Sequence, residues 1–272
     1  MSEAPLERRE ARRSMSRLVV DPFFRIVRTT RGRALSLRTA VGIFVLAGAM
    51  SAVVGTAAFA WIAAHVRSGR TQAFDDAVLG YLATHRSPLV EQMMLEITFL
   101  GTGLVVVVIV IVAATFLWLS AHRYSAALLL IATAGGIALN NVLKLGFSRP
   151  RPHVFTWGTQ AMSSSFPSGH AMSAAVVYGT VAYLAARLQR RRLSRAITML
   201  LAAVMIALIS FSRLYLGVHY PSDVAAGVIV GLAWAGFCMA TLEAVQLTRG
   251  RAPERRRSTA PADDRPPESR AI

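Results

Sequence analysis

Between Ile97 and Leu242 the chain carries one carboxylate, Asp223, although it has fourteen acidic residues in all. A water-facing protein surface is about one-quarter charged, so a stretch of this length with a single acid cannot fold as an ordinary soluble domain. The basic residues are displaced as well: ten of the thirty lie within Met1–Arg38 and seven follow Leu247. With 54% hydrophobic and 16% charged residues, the chain reads as a membrane protein whose charges are pushed to its ends.

A spanning helix needs about 20 apolar residues. Six runs satisfy this closely enough: Thr39–Val66, Gly101–Ser120, Tyr124–Leu143, Gly169–Ala186, Ala196–Ser212 and Val224–Leu242. Inside a bilayer the backbone must satisfy its own polar groups, so runs of this kind are helices rather than strands. Gly135, Gly136, Gly227, Gly231 and Gly236 fall within them and suit close helix–helix approach. Phe74–His85 and Leu89–Leu100 carry apolar residues at helical spacing and read as short helices at the outer interface. The expected fold class is therefore all-α, a six-transmembrane-helix bundle. Residues 1–38 form a basic N-terminal segment, 39–245 the six-span domain, and 246–272 a basic, disordered tail. The one cysteine, Cys238, excludes an intramolecular disulfide and reads as a small buried hydrophobe.

Arg and Lys counted on alternate sides of the spans give the orientation. One side holds 23 basic residues: the two ends of the chain, Arg123 and the cluster Arg187–Arg195. The other holds 7: Arg67, Arg70, Arg86, Lys144, Arg149, Arg151 and Arg213. The richer side is cytoplasmic by the positive-inside rule, which places both termini in the cytoplasm. The same asymmetry accounts for most of the net charge of +16, so nucleic acid is not the expected partner.

The seven outer cations carry the first functional signal. Lys144, Arg149 and Arg151 follow the third span and Arg213 ends the fifth, whereas charges that merely snorkel need not converge. Lys144 is also the only lysine beside twenty-nine arginines, which suggests that its position requires a compact ammonium rather than a guanidinium fork.

Three fragments hold these residues: Lys144-Leu-Gly-Phe-Ser-Arg-Pro-Arg151-Pro152, Pro167-Ser168-Gly169-His170 and Ser212-Arg213-Leu-Tyr-Leu-Gly-Val-His219-Tyr-Pro-Ser-Asp223. In generic form they are K-x6-R-P, P-S-G-H and S-R-x5-H-x3-D. In content and order they resemble the three signature motifs of the type 2 phosphatidic acid phosphatase superfamily. The likeness runs from Lys144 to Asp223 in motifs and over about 39–242 in span plan, and the two tails lie outside it. That family is similar in its core to vanadium-dependent haloperoxidases. The resemblance implies a nucleophile at His219, an orienting carboxylate at Asp223 and an acid/base at His170.

The residues support the same chemistry physically. All three fragments lie at the outer ends of spans three to six. Lys144, Arg151 and Arg213 form a cationic clamp for a phosphate and for the charge that builds on it during in-line displacement. Ser168 and Gly169 open the fourth span, so a hydroxyl and free backbone N–H groups are expected to face outward at a helix N-terminus. Asp223 follows His219 by four residues, a spacing that lets the carboxylate take the Nδ1 proton and leaves Nε2 free to attack phosphorus. His170 then protonates the departing alkoxide and later activates water. His65, His85, His122 and His153 match no motif position and read as structural, and Arg149 reads as auxiliary.

The expected activity is hydrolysis of a lipid phosphate or diphosphate at the outer interface through a phosphohistidine, with the lipid tails left in the bilayer. No metal or other cofactor is implied, because Asp223 is the only acid in the core available to hold one. A polyprenyl diphosphate of cell-envelope carrier recycling is the alternative substrate, and a catalytically silent lipid-phosphate-binding protein is the reading from a different class. A vanadate haloperoxidase fits poorly with six spans, and a transporter would need broken or charged helices at mid-membrane.

The orientation is testable. A cysteine introduced at Trp157 should react with an impermeant thiol reagent on intact cells, and one at Arg191 should not. The reverse pattern would invert the topology.

Overall fold

With no water in a bilayer to satisfy backbone polar groups, each apolar run closes its own hydrogen bonds. The computed structural model accordingly contains only helices as regular structure among the residues described, which are 37–153 and 164–249. In chain order these are α1 (Leu37–Arg67), α2 (Gln72–Thr84), α3 (Pro88–Phe99), α4 (Gly103–Leu119), α5 (Arg123–Leu145), α6 (Gly169–Leu188), α7 (Arg192–Tyr215) and α8 (Pro221–Arg249). Trp157 and most of the two basic tails lie outside the described residues. The part of the C-terminal tail that is described, residues 246–249, continues α8 as helix.

Five of the helices, α1 and α5 to α8, are long and apolar enough to cross a membrane on their own. The expected second span is α4, which is shorter at 17 residues, or about 25 Å. It meets α3 at a 47° bend, and the pair together passes as one broken span. The Leu89–Leu100 segment is a short helix of its own, α3, set at an angle to the span that follows it, as expected. Its start is set by Ser87, whose Oγ accepts the Val90 N–H at 3.3 Å, and by Pro88 in the first turn.

The bundle is centred on α6, whose Ala171, Met172, Ala174, Ala175, Val176 and Val177 are all buried. Apolar side chains point outward from the flanking helices instead: Leu46 and Val53 on α1, Leu104 and Ile111 on α4, Leu200 and Leu201 on α7. An exposed apolar surface of this extent suits lipid, not water.

Glycine decides how closely the central helices approach. A Cβ at Gly227 would lie 2.5 Å from the Ser168 carbonyl oxygen, and one at Gly231 would lie 2.7 Å from that of Met172. The α8 backbone thus crosses the first turns of α6 with only hydrogens between them. Trp234 lies across Gly135 on the other side, and its Nε1 donates to the Ala132 carbonyl at 2.8 Å. At the opposite end of the same two helices, Glu243 accepts from the Tyr183 hydroxyl and pairs with Arg187 at 2.5 Å. Cys238 is buried in the apolar core between these ends.

This packing predicts that Gly227→Ala is damaging out of proportion to its size. The new methyl meets a backbone oxygen that cannot swing away, and overpacking of this kind costs about 1–3 kcal/mol. Gly179, where a Cβ would meet nothing within 4 Å, is the control. Thermal unfolding in detergent should show a lowered midpoint for Gly227→Ala and an unchanged or raised one for Gly179→Ala. Equal midpoints would contradict the account of the crossing.

Candidate active site

Proline and helix-terminus chemistry bring the three fragments to one end of the bundle. After α5 the chain runs without helix through Phe147–His153. Arg149 and Arg151 each precede a proline, which disfavours helix at both positions. Helix α7 ends in a Schellman turn: the Val218 N–H donates to the Arg213 carbonyl at 3.2 Å and the Gly217 N–H to that of Leu214 at 2.9 Å. Gly217 sits at φ 65°, a conformation that suits glycine, and the turn delivers His219 beside the start of α8. Pro221 occupies the first turn of α8, and Asp223 Oδ2 reaches back to accept the Tyr220 N–H at 2.9 Å.

The sequence-predicted residues converge. Arg151 Nη1 lies 3.4 Å from His219 Nε2 and donates to the Val218 carbonyl at 3.1 Å. On the other edge of the ring, His219 Nδ1 lies 3.6 Å from Asp223 Oδ2, juxtaposed but beyond hydrogen-bond length. A cation at Nε2 and a carboxylate at Nδ1 assign the ring proton to Nδ1 and the lone pair to Nε2. Burial pushes the His219 imidazole down to about 4 against the opposing pull of Asp223, with Arg213 and Arg151 adding to the fall. The ring is therefore neutral near pH 7, as a nucleophile must be. His170 sits within electrostatic reach of Arg213, His219, Lys144 and Arg151, and Lys144 within reach of Arg151, Arg213 and Asp223.

Two elements outside the motifs complete the walls. Arg213 Nη1 donates to Thr98 Oγ1 of α3 at 2.6 Å. Gly101, at the α3–α4 bend, lets the chain pass over His170, whose Cδ2 would stand 3.2 Å from a Cβ there. Asn140, one turn before Lys144 on α5, abuts Gly169: its Nδ2 would lie 3.2 Å from a Cβ at that position. Sequence reasoning missed Asn140, although its i, i+4 spacing from Lys144 puts both on one helix face.

At this end Ser168 Oγ and Arg213 Nε are buried donors without a hydrogen-bond partner among the described residues. Buried polar groups are ordinarily satisfied, and unsatisfied donors beside cations suit an anion, which accepts hydrogen bonds.

Three expectations need correction. The Ser168 N–H is not free, because it donates to the Asp223 carbonyl oxygen at 3.0 Å. The anion-facing donors of α6 reduce to the first-turn N–H groups ahead of Met172, which closes the first helical bond onto Ser168 at 3.0 Å. Asp223 is not the only acid in the core, because Asp75 of α2 is fully buried beside it. Arg149 is no bystander: it donates to Asp223 Oδ1 at 2.6 Å and to Asp75 Oδ2 at 2.8 Å. The carboxylates are thus bridged by a guanidinium, which disfavours a metal between them. Among the described residues no group of three or more His, Cys, Asp or Glu side chains is placed to hold one.

The chain is similar to known proteins in sequence and in fold. The sequence profile of the PAP2 superfamily matches residues 125–246. The chain is 31% identical to phosphatidylglycerophosphatase B of Bacillus subtilis (strain 168) over 175 residues, which is 64% of this chain and 86% of that protein. It is 32% identical over 142 residues to the putative undecaprenyl-diphosphatase YbjG of Escherichia coli (strain K12), covering 49% of this chain and 66% of that one. Its fold is similar to the crystal structure of a transmembrane PAP2 type phosphatidylglycerolphosphate phosphatase from Bacillus subtilis, with a TM-score of 0.66 and 27% identity. That alignment covers 76% of this chain and 99% of the other.

The geometry of the clamp makes Lys144 a sharp test. Arg151 and Arg213 already supply two planar forks, so a third must displace something or stand off. Lys144→Arg, which preserves charge, should lower turnover on the order of 10²-fold, the usual cost of one preorganised donor, with a smaller effect on KM. Steady-state kinetics on a soluble short-chain lipid phosphate would decide, and near-wild-type turnover would show that Lys144 only snorkels.

Proposed function

Because the chain belongs to the PAP2 superfamily, the type 2 phosphatidic acid phosphatases, we propose that it is an integral membrane phosphatase acting on a lipid phosphate. The observation that carries the reading is the placement of His219, with Nε2 toward Arg151 and Nδ1 toward Asp223. That is the arrangement a nucleophilic imidazole needs.

In this reading Lys144, Arg151 and Arg213 grip the phosphate oxygens, helped by Ser168 Oγ and the backbone of Gly169 at the start of α6. The Nε2 lone pair of His219 forms the N–P bond as the bond to the lipid oxygen breaks. His170 gives that oxygen its proton, and Asp223 holds the Nδ1–H of the cationic ring. His170 then takes a proton from water, which attacks the phosphohistidine and releases inorganic phosphate. In this reading the cationic end of the bundle faces the extracytoplasmic side, with both termini in the cytoplasm, which the charge asymmetry supports. The domain is 39–245, and its partners are the lipid substrate and the surrounding bilayer.

The relative aligned over most of its own length is a phosphatidylglycerophosphatase, which favours a glycerophospholipid phosphate monoester as substrate. Similarity to undecaprenyl-diphosphatases from Escherichia coli and Sulfolobus acidocaldarius supports a polyprenyl diphosphate as the second reading.

Phosphate release by the purified chain in detergent, measured across phosphatidic acid, phosphatidylglycerophosphate and undecaprenyl diphosphate, tests both readings. His219→Ala should lose turnover by about 10³-fold or more on every substrate while remaining folded and inserted. Substantial activity in that variant would remove His219 as the nucleophile. Failure of the wild type on all three lipids would overturn the phosphatase reading.

A further inference from the structure

Helix α2 lies far from the motifs in sequence, yet it supplies a buried carboxylate to the catalytic end. Asp75 Oδ1 accepts the Ser222 N–H at 3.0 Å, and Oδ2 accepts the Ser222 hydroxyl at 2.6 Å and Arg149 Nη2 at 2.8 Å. Arg149 Nη1 donates to Asp223 Oδ1 at 2.6 Å and to Ser222 Oγ at 2.7 Å. Gln72 of α2 accepts from Nη2 at 3.1 Å, and the guanidinium lies over the Tyr220 ring at 4.1 Å. Arg149 is thereby held on every side, and it grips the Asp223 oxygen that does not face His219.

Charge accounting shows what such an arrangement does. A buried guanidinium paired with Asp223 alone would largely neutralise it, and a neutral pair stabilises a cationic imidazole poorly. Asp75 adds a second negative charge on the same guanidinium. Two carboxylates and one arginine leave one net negative charge, and Asp223 presents it to Nδ1 of His219. When Nε2 takes the phosphoryl group, with the leaving oxygen carrying off the bonding electrons and a proton from His170, the ring becomes cationic. The four-group cluster is then neutral.

We propose that Asp75 and Arg149 are positioning residues for the phosphohistidine step: Arg149 fixes the Asp223 carboxylate toward His219, and Asp75 both immobilises Arg149 and offsets its charge. This rests on the phosphatase reading above. It makes α2 part of the catalytic apparatus rather than an interfacial accessory.

The test is a set of variants assayed for phosphate release from dioctanoyl phosphatidic acid in detergent. Asp75→Asn keeps the shape and removes the charge. It should lower kcat about 10-fold to 100-fold, the usual range for a residue acting through another, with KM changed by less than about threefold. The distinguishing readout is the double variant Asp75→Asn with Arg149→Gln, which returns the cluster to one net negative charge. Because Asp75 acts through Arg149, the double variant should turn over no more slowly than Arg149→Gln alone, whereas a purely structural role predicts that the two losses accumulate. Should Asp75→Asn fail to fold, Arg149→Lys gives the second measurement. It keeps the positive charge but loses the planar fork whose two nitrogens hold Asp223 and Asp75 separately, so its kcat should fall with KM unchanged. A kcat near wild type in Asp75→Asn or Arg149→Lys, or a double variant slower than Arg149→Gln alone, would overturn the inference while the wild type's own turnover upheld the phosphatase reading. An inactive wild type would overturn that reading and this inference with it.

Discussion

The crossing of α6 and α8 governs the rest of the structure, because it sets two helix N-termini side by side at one end of the bundle. Gly227 and Gly231 remove the side chains that would hold the backbones apart, and the Ser168 N–H then reaches the Asp223 carbonyl oxygen at 3.0 Å. Through that contact the start of α6, carrying Ser168, Gly169 and His170, is registered against the start of α8, carrying Asp223. The Schellman turn after α7 adds His219 to the same place. Three helix ends and one proline-containing segment thus place the proposed catalytic groups, and helix ends are the kind of rigid support a precise site needs.

Electrostatics explains why the cluster sits where it does. Lys144, Arg151 and Arg213 are like charges gathered at one end of the bundle and partly withdrawn from water, which costs free energy. Such a group is stable only with anions near it. Asp223 and Asp75 are present in the chain itself, and a phosphate supplies the rest. The two arginines of the Arg-Pro-Arg-Pro run divide the work: Arg149 points to the carboxylates and Arg151 to His219 Nε2. In the proposed mechanism the two copies of the dipeptide thus serve different sides, Arg151 the substrate and Arg149 the carboxylates.

Much of this was legible in the sequence, for identifiable reasons. Spans show themselves because a charge-free run of sufficient length has no alternative in water. His219, His170, Asp223 and the clamp residues show themselves because spacing and charge coincide with a motif. The α2 contribution was hidden: Asp75 precedes Asp223 by 148 positions, and nothing local connects them. Its one signal was a carboxylate placed i, i+4 from Leu79, which is buried on the same helix face. Arg149 was discounted on motif register, a test that knows nothing of ion-pair partners. The bend between α3 and α4, which brings Thr98 to Arg213, depends on tertiary packing and leaves only Gly101 as its trace.

The central claim is that His219 carries the phosphoryl group. Rapid acid-free quench of the enzyme with phosphate-labelled lipid, followed by peptide mapping, tests it most directly. The account predicts an acid-labile, alkali-stable label on the peptide containing His219, formed and lost within the turnover time. Label on His170, or phosphate released at full rate with no labelled residue at any time, would contradict it.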